Sequence, residues 1–368
     1  MKCRLLYIIG ELHTGGSERQ LCYLLRELDR ERYKPAVVVW NFRENDVHVS
    51  TVRSLGVPIY SLGTSESRIG RLRLLRTLVQ QLEPQVVHSW SFYTNFAAYL
   101  AAKGTSAISV GSIRSDYFWA VKEAGFFVGK LSARWPRNQV ANSALAAKGG
   151  NGMKTYFSPA HVSIVPNGVD LNQFELSPMP NTRPVRFIGI GYLLPIKRWD
   201  LLLLAIKQLK NQNLEFIAAI AGDGPLRSNL EKLAEQLGII DRVQFLGHVE
   251  DIANELSKAA FVVHTGDAEG CPNSVMEAMA SGRTVVATDV GDIPSLIKNG
   301  KTGFIVPRGD IPALKKYIEI LASDYKLCED MGKAARKTAE CVFGLNHLAQ
   351  GTLAVYRTLG WNDGGVGC

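Results

Sequence analysis

The sequence predicts an α/β protein of two doubly wound domains, and three observations lead there. Apolar strands alternate with helical stretches along the whole chain. One proline-rich stretch interrupts the alternation near the middle. The 368 residues exceed what one ordinary core holds and suit two.

In the first half, strands are expected near 4–9, 35–40, 85–88, 107–111, 138–142 and 162–165. Helices lie between them, such as Glu18 to Leu28 and Leu72 to Leu82. In the second of these, Leu75, Leu78, Val79 and Leu82 recur at helical spacing and should face the core, with Arg73, Arg76 and Gln80 outward. The second half repeats the rhythm near 186–190, 215–221, 243–246, 261–264, 285–288 and 303–306. Strands separated by helices suit parallel sheets covered on both faces. The segment from Leu176 to Pro184, with Pro178 and Pro180 inside it, reads as a linker. The expected domains are therefore 1–178 and 184–368, with a last helix at about 346–360 packing back on the first. Such sheets bind ligands at strand carboxyl ends, beside helix N-termini, so two of them should face one cleft.

Composition narrows the class. With 46% apolar and 21% charged residues the chain is globular. No apolar run approaches the ~20 residues that span a bilayer. The opening stretch Met1 to Gly10 reads as a first strand, because Glu11 and His13 follow where a signal-peptide cleavage site would fall. Six cysteines without a Cys-x-x-Cys pair, and seven histidines without His-Glu-x-x-His spacing, give neither a zinc site nor a disulfide framework. That fits a reducing cytoplasm. The net charge of +8 is uneven: residues 1–178 hold 21 Lys+Arg against 13 Asp+Glu, and residues 179–368 hold 21 of each. Nucleic acid, an anionic acceptor, an anionic membrane surface or a merely solubilising face each fit that excess.

The candidate residues lie just after strands. Glu11-Leu12-His13-Thr14-Gly15-Gly16-Ser17-Glu18 opens the first helix, and its glycines allow either an anion at the helix start or a tight turn. It lacks the Gly-x-Gly-x-x-Gly dinucleotide fingerprint. Gln85-Val86-Val87-His88-Ser89-Trp90 ends a buried strand with an imidazole that suits a structural hydrogen bond or a catalytic contact. In the second half, Gly191-Tyr192-Leu193-Leu194-Pro195-Ile196-Lys197-Arg198 offers a lysine able to reach a phosphate. Ala221-Gly222-Asp223-Gly224-Pro225 is a second such turn. The segment Glu269-Gly270-Cys271-Pro272-Asn273-Ser274-Val275-Met276-Glu277 carries the most chemistry. Asn273 reads as an N-cap, the free amides behind it suit a phosphate, and the two carboxylates suit sugar hydroxyls.

Glu269 and Glu277, with that loop between them, resemble the paired glutamates of the retaining family 4 glycosyltransferases, which have the GT-B fold. The similarity extends over nearly the whole chain through Gly15-Gly16-Ser17-Glu18, Val86-Val87-His88-Ser89, Val165-Pro166-Asn167-Gly168-Val169-Asp170, Gly222-Asp223-Gly224-Pro225 and Phe245-Leu246-Gly247. The resemblance implies two Rossmann-like domains and transfer of a hexose-type sugar from a nucleotide-sugar. A UDP-sugar is favoured over a GDP-sugar, with no cofactor and no metal. It also implies that Glu277 binds the donor ribose and Glu269 faces the transferred sugar. Backbone amides of Gly270, Cys271, Pro272, Asn273, Ser274 and Val275 (proline contributing only shape) would lie near sugar and diphosphate, with Gly222 also beside the donor. His248 and Val249 would lie against the base and Lys197 would neutralise the leaving diphosphate. His88 would contact the transferred sugar, and Gly16 would lie where donor and acceptor meet.

One departure is plain. Where the family carries Arg after the glycine matching Gly191, this chain has Tyr192, which donates one hydrogen bond and no charge, leaving Arg198 to compensate. A nucleotide-sugar 2-epimerase of the same architecture and a non-catalytic nucleotide-sugar-binding scaffold are the rival readings. The implied partners are a nucleotide-sugar donor and a glycan or lipid-linked acceptor, and not nucleic acid. An anionic membrane surface joins them on the residues themselves. Tyr117-Phe118-Trp119, Phe126-Phe127 and Trp135 alternate with Lys122, Lys130, Arg134 and Arg137, and Arg68 and Arg71 precede the helix described above. The expected location is the cytoplasm, peripherally on the inner face of the plasma membrane.

Overall fold

The structure is a computed structural model that describes residues 3–363 apart from 14, 64, 65, 116, 153–156, 211 and 213, and leaves out the side chains of 149–152. Met1, Lys2, Thr14 and Cys368, which entered the sequence reading, lie outside the described residues. The chain forms two compact units. The first is Met1–Gly168 together with Leu345–Cys368, and the second is Val169–Gly344.

The first unit begins β1 (Cys3–Ile9), α1 (Gly16–Glu27), β2 (Tyr33–Val39), α2 (Val47–Ser54), β3 (Ile59–Ser61), α3 (Arg68–Leu82) and β4 (Val86–Ser89). It continues α4 (Asn95–Ala102), β5 (Ile108–Ile113), α5 (Tyr117–Glu123), α6 (Phe126–Arg134), β6 (Asn138–Ala141), α7 (Ala144–Gly152) and β7 (His161–Ile164). The second unit holds β8 (Val185–Ile190), α8 (Trp199–Lys210), β9 (Phe216–Ala221), α9 (Arg227–Gln236), β10 (Val243–Gly247), α10 (Ile252–Ser257) and β11 (Phe261–His264). It ends α11 (Asn273–Ala280), β12 (Thr284–Thr288), α12 (Ile293–Leu296), β13 (Gly303–Val306), α13 (Ile311–Ser323) and α14 (Tyr325–Val342), after which α15 (Leu345–Thr358) returns to the first unit.

Both sheets are parallel. Their strand orders are β3-β2-β1-β4-β5-β6-β7 and β10-β9-β8-β11-β12-β13. In each, the chain starts in the middle, winds to one edge and returns to build the other. The switch points therefore lie between β1 and β4 and between β8 and β11. The central strands are apolar on both faces because helices cover both. β12 is buried at every residue and β1 at every residue but Arg4. On one face of the first sheet Leu75 and Val79 of α3 are buried, and Leu72, Leu78 and Leu82 pack beside them. Outward, Arg76 donates to Leu100 O and Lys103 O at 3.0 Å each, tying off the last carbonyls of α4. The short edge strand β3 has no counterpart in the sequence reading, since three half-exposed residues show no period.

The proline-rich stretch belongs to the second unit rather than dividing the two, and the breaks fall at Gly168–Val169 and Gly344–Leu345. Buried Arg283 holds it there. Its guanidinium donates to Ser177 O and Oγ, Pro178 O, Leu256 O and Ser257 O. A charge taken out of water is stable only with its donors satisfied, so Arg283 fixes residues 177–178 as firmly as a strand would.

Candidate active site

The second unit gathers most of the candidate residues at the carboxyl ends of β8, β9, β10 and β11, around its switch point. After β8, Trp199 Nε1 donates to Tyr192 O at 3.0 Å, and the turn Pro195–Lys197 brings Lys197 back over the sheet. Two bonds fasten this turn to the segment after β11: Thr265 Oγ1 donates to Lys197 O at 2.8 Å and Asp267 N to Ile196 O at 2.8 Å. After β9, Gly222 lies so close to the neighbouring turn that an added Cβ would fall 2.0 Å from Gly191 O, and its φ of +145° disfavours a side chain as well. After β10, His248 is exposed and Val249 half-buried.

Lys197 and Glu269 form a hydrogen-bonded ion pair, and His264 Nε2 sits 3.0 Å from the same carboxylate oxygen. Burial on its own would raise the Glu269 pKa. The hydrogen bond from His264 and the Lys197 charge outweigh it and hold the group at about 2. His264 ends β11 and is itself buried. Its ring lies over Gly266, where a Cβ would come within 3.3 Å of Nε2, and its Nδ1 is 3.4 Å from Thr288 Oγ1. The Thr288 hydroxyl donates to Gly266 O at 2.7 Å. Lysine, histidine and carboxylate are thus locked in one orientation. Lys197 spends one of three N–H donors on Glu269, leaving two for a ligand oxygen.

Arg198 is turned toward two carboxylates. It adopts a left-handed conformation, φ 52°, and its guanidinium is spent on Asp200, at 3.1 and 3.0 Å, and on Asp267, at 2.8 Å. Tyr192 itself is exposed. The N-cap of α11 is Pro272 and not Asn273, because Asn273 is already helical while Pro272 has extended backbone whose carbonyl accepts from Val275 N at 3.2 Å. This change leaves the first amides of α11 pointing out of the helix, beside the loop of Gly270 and the buried Cys271. Gly291, at φ +55°, backs that loop, since a Cβ there would lie 2.3 Å from Glu269 O. Ser274 lies in the first turn, and Glu277 is buried one turn further along.

Gly16 and His88 belong to the first unit. Gly16 starts α1 behind the N-cap Gly15. His88 is fully buried. Its Nδ1 is 2.6 Å from the Tyr356 hydroxyl of α15, and its Nε2 is 3.0 Å from Ser112 Oγ of β5. Burial first, and the Arg114 charge second, hold its pKa well below the ordinary value, so the ring is neutral. Both nitrogens are thus engaged inside the unit, as a structural hydrogen-bonder's would be.

Trp90, two residues further on, does line a cavity. This space of about 980 Å³ at the first switch point is bounded by Gly10, Glu18, Trp90, Tyr93 and Arg114 among others. The Arg114 guanidinium stacks 3.4 Å from the Trp90 ring, and Trp90 Nε1 donates to Ser17 O at 2.8 Å. Asn41 bridges the wall, accepting from Arg71 at 2.8 Å and lying 3.4 Å from Glu11. Burial raises the pKa of Glu18. Carboxylates, an amide and aromatic faces in one cavity can hold the hydroxyls and apolar ring faces of a saccharide.

Sequence reasoning missed His264, Trp90 and Arg114. The one available signal for His264 was a histidine closing the strand beside the switch point, as His88 closes β4.

The same fold recurs in solved structures. HepE of Anabaena, solved in complex with UDP, superposes with a TM-score of 0.81 at 20% identity, covering 97% of this chain and 100% of that one. TarM superposes at 0.81 and 14% identity, over 97% and 99%. Among curated proteins, the D-inositol 3-phosphate glycosyltransferase of Streptomyces avermitilis is 32% identical over 53% of this chain and 46% of its own. The alpha-D-kanosaminyltransferase of Streptomyces kanamyceticus is 30% identical over 48% of this chain and 46% of its own. The matches span roughly half the length of these relatives. The profile of the Glycosyltransferase Family 4 domain matches residues 14–173, and that of Glycosyl transferases group 1 matches residues 177–338. The chain belongs to the group 1 glycosyltransferases, with the GT-B fold.

Proposed function

We propose that this protein transfers a hexose-type sugar from a nucleotide-sugar to a glycan or lipid-linked acceptor, with retention of anomeric configuration and without a metal ion. The observation that carries the reading is the Lys197–Glu269–His264 cluster beside the start of α11 at the second switch point. When the anomeric C–O bond breaks, negative charge grows on the β-phosphate. The two spare Lys197 donors and the first amides of α11 meet that charge without reorganising. Glu269, ionised throughout the physiological range, holds Lys197 in place, and its second oxygen is available to a sugar hydroxyl. Glu277 binds the ribose. The acceptor hydroxyl attacks from the same face as the leaving group, and a phosphate oxygen takes its proton. Arg198 is spent on Asp200 and Asp267, so Lys197 carries the cationic share of this step on that loop.

The test is turnover of UDP-sugars and GDP-sugars, chosen after a thermal-shift screen of the nucleotides. A ligand at one hundred times its Kd adds about 2.7 kcal/mol of stability. Donor hydrolysis or transfer that persists in EDTA is expected. Activity abolished by EDTA and restored by magnesium or manganese refutes the metal-free reading. Interconversion of the donor sugar without any acceptor would make the protein an epimerase, and nucleotide binding without turnover a scaffold.

A further inference from the structure

Helices α5 and α6 form a pair. They cross in contact, since a Cβ on Gly129 would fall 2.1 Å from Val121 O. One side, with Ala120, Glu123, Ala124, Val128 and Leu131, lines the cavity of the first unit. The same two helices hold four large aromatic rings mostly in solvent: Phe118 is 56% exposed, Trp119 61%, Phe126 68% and Phe127 77%. Four such side chains on one small pair of helices are a feature that soluble surfaces avoid unless something covers it.

The charges beside these rings say what covers them. Between 117 and 137 the bases are Lys122, Lys130, Arg134 and Arg137, and the one acid, Glu123, lines the cavity instead. Lys130 Nζ sits 3.8 Å over the Phe126 ring, and Arg134 lies 5.4 Å from the Trp135 ring. The excess extends beyond the pair. By the structural boundaries the first unit carries 22 Lys+Arg against 12 Asp+Glu, and the second 20 against 22. Protein interfaces deplete lysine at their centres, whereas aromatic rings among lysines and arginines match the headgroup level of an anionic bilayer. Among the described residues no helix is long and apolar enough to cross a membrane, so the attachment is peripheral.

We propose that the outer face of α5 and α6 inserts its four aromatic side chains into an anionic lipid surface, and that an amphiphilic acceptor passes from that surface along the same helices into the cavity. The second clause rests on the proposed transfer and on this cavity taking its acceptor. The first stands without it.

Sedimentation with vesicles of phosphatidylcholine alone, and of phosphatidylcholine with about a third phosphatidylglycerol, tests the docking. The expected result is at least tenfold tighter binding to the anionic vesicles, weakened by salt. The variant Phe118→Ser/Trp119→Ser/Phe126→Ser/Phe127→Ser should lose that binding at least tenfold. Its thermal unfolding should change little, because the rings are mostly exposed. Lys122→Glu/Lys130→Glu, which keeps the rings, should lose it too. Equal binding to both vesicles, no binding, or binding kept by the serine variant overturns the proposal. So does self-association of the wild type that the serine variant abolishes, since the face would then belong to a second copy. Nucleotide binding by the second unit is measured separately, so loss of the transferase reading and loss of the docking reading show in different assays.

Discussion

Replacing Glu269 by glutamine should cost stability in a pH-dependent way. The carboxylate is half-buried, accepts from Lys197 and His264, and has a pKa of about 2 against the ordinary 4.5. The depression of roughly 2.5 units corresponds to about 3 kcal/mol at pH 7, at about 1.36 kcal/mol per unit. For a carboxylate with a lowered folded-state pKa, this contribution is full above the unfolded value and lost as pH falls toward the folded one. Near pH 3.5 it should have dropped to about 2 kcal/mol. Glutamine keeps the shape but has no proton to release, so its stability lacks this term at every pH. Urea unfolding of wild type and Glu269→Gln at pH 7, 5 and 3.5 measures the difference. A gap of about 3 kcal/mol that narrows by about 1 kcal/mol at the acid end is expected. Two parallel curves would mean that Glu269 is not held ionised by its neighbours, and the account of how Lys197 is aimed would fall with it.

Lys197→Ala should lower turnover by roughly 10²–10³ with a smaller effect on nucleotide affinity, the range for losing one preorganised donor to developing charge. Steady-state kinetics read this, and an unchanged kcat removes Lys197 from the mechanism. Gly222→Val places a Cβ about where Gly191 O already lies, at a φ that valine avoids, so a loss of about 2–4 kcal/mol in chemical denaturation is expected together with weakened nucleotide binding. Tyr356→Phe leaves His88 Nδ1 buried without its 2.6 Å partner and should cost about 1–3 kcal/mol in the same assay, while nucleotide binding by the second unit stays as it was.

Much of this fold was legible because parallel strands covered on both faces announce themselves. β1, β9 and β12 are mostly apolar runs, and each read within a residue or so of its place. β3 was not legible, since an edge strand of three half-exposed residues carries no pattern. The prolines of 176–184 gave the division between units a false position. What binds that stretch to the second unit is Arg283, more than a hundred residues later, and sequence distance hides such a partner. The candidate site divides in the same manner. Lys197 and Glu269 stand out by residue type and position after strands, but their pairing with His264 depends on Gly266 leaving room for an imidazole. Arg198 was legible as a cation and illegible in its direction, which a single left-handed residue decides. His88 was legible as a histidine at a strand end, and only Tyr356 and Ser112 show that both its nitrogens are taken.

The return of α15 to the first unit has a consequence for the order in which the protein is made. Leu348, Leu353 and Tyr356 belong to the same core as Leu5, Tyr7 and Leu24, and the Tyr356 hydroxyl is the partner of His88. The second unit, being contiguous from Val169 to Gly344, is completely synthesised before α15 is. The first unit, although begun first, must wait with part of its core open until α15 has been made. Domains usually form in the order of translation, but here the half that starts later is the half that can finish sooner. A chain stopped before residue 345 would leave β4 with a buried imidazole and no Tyr356 to meet it.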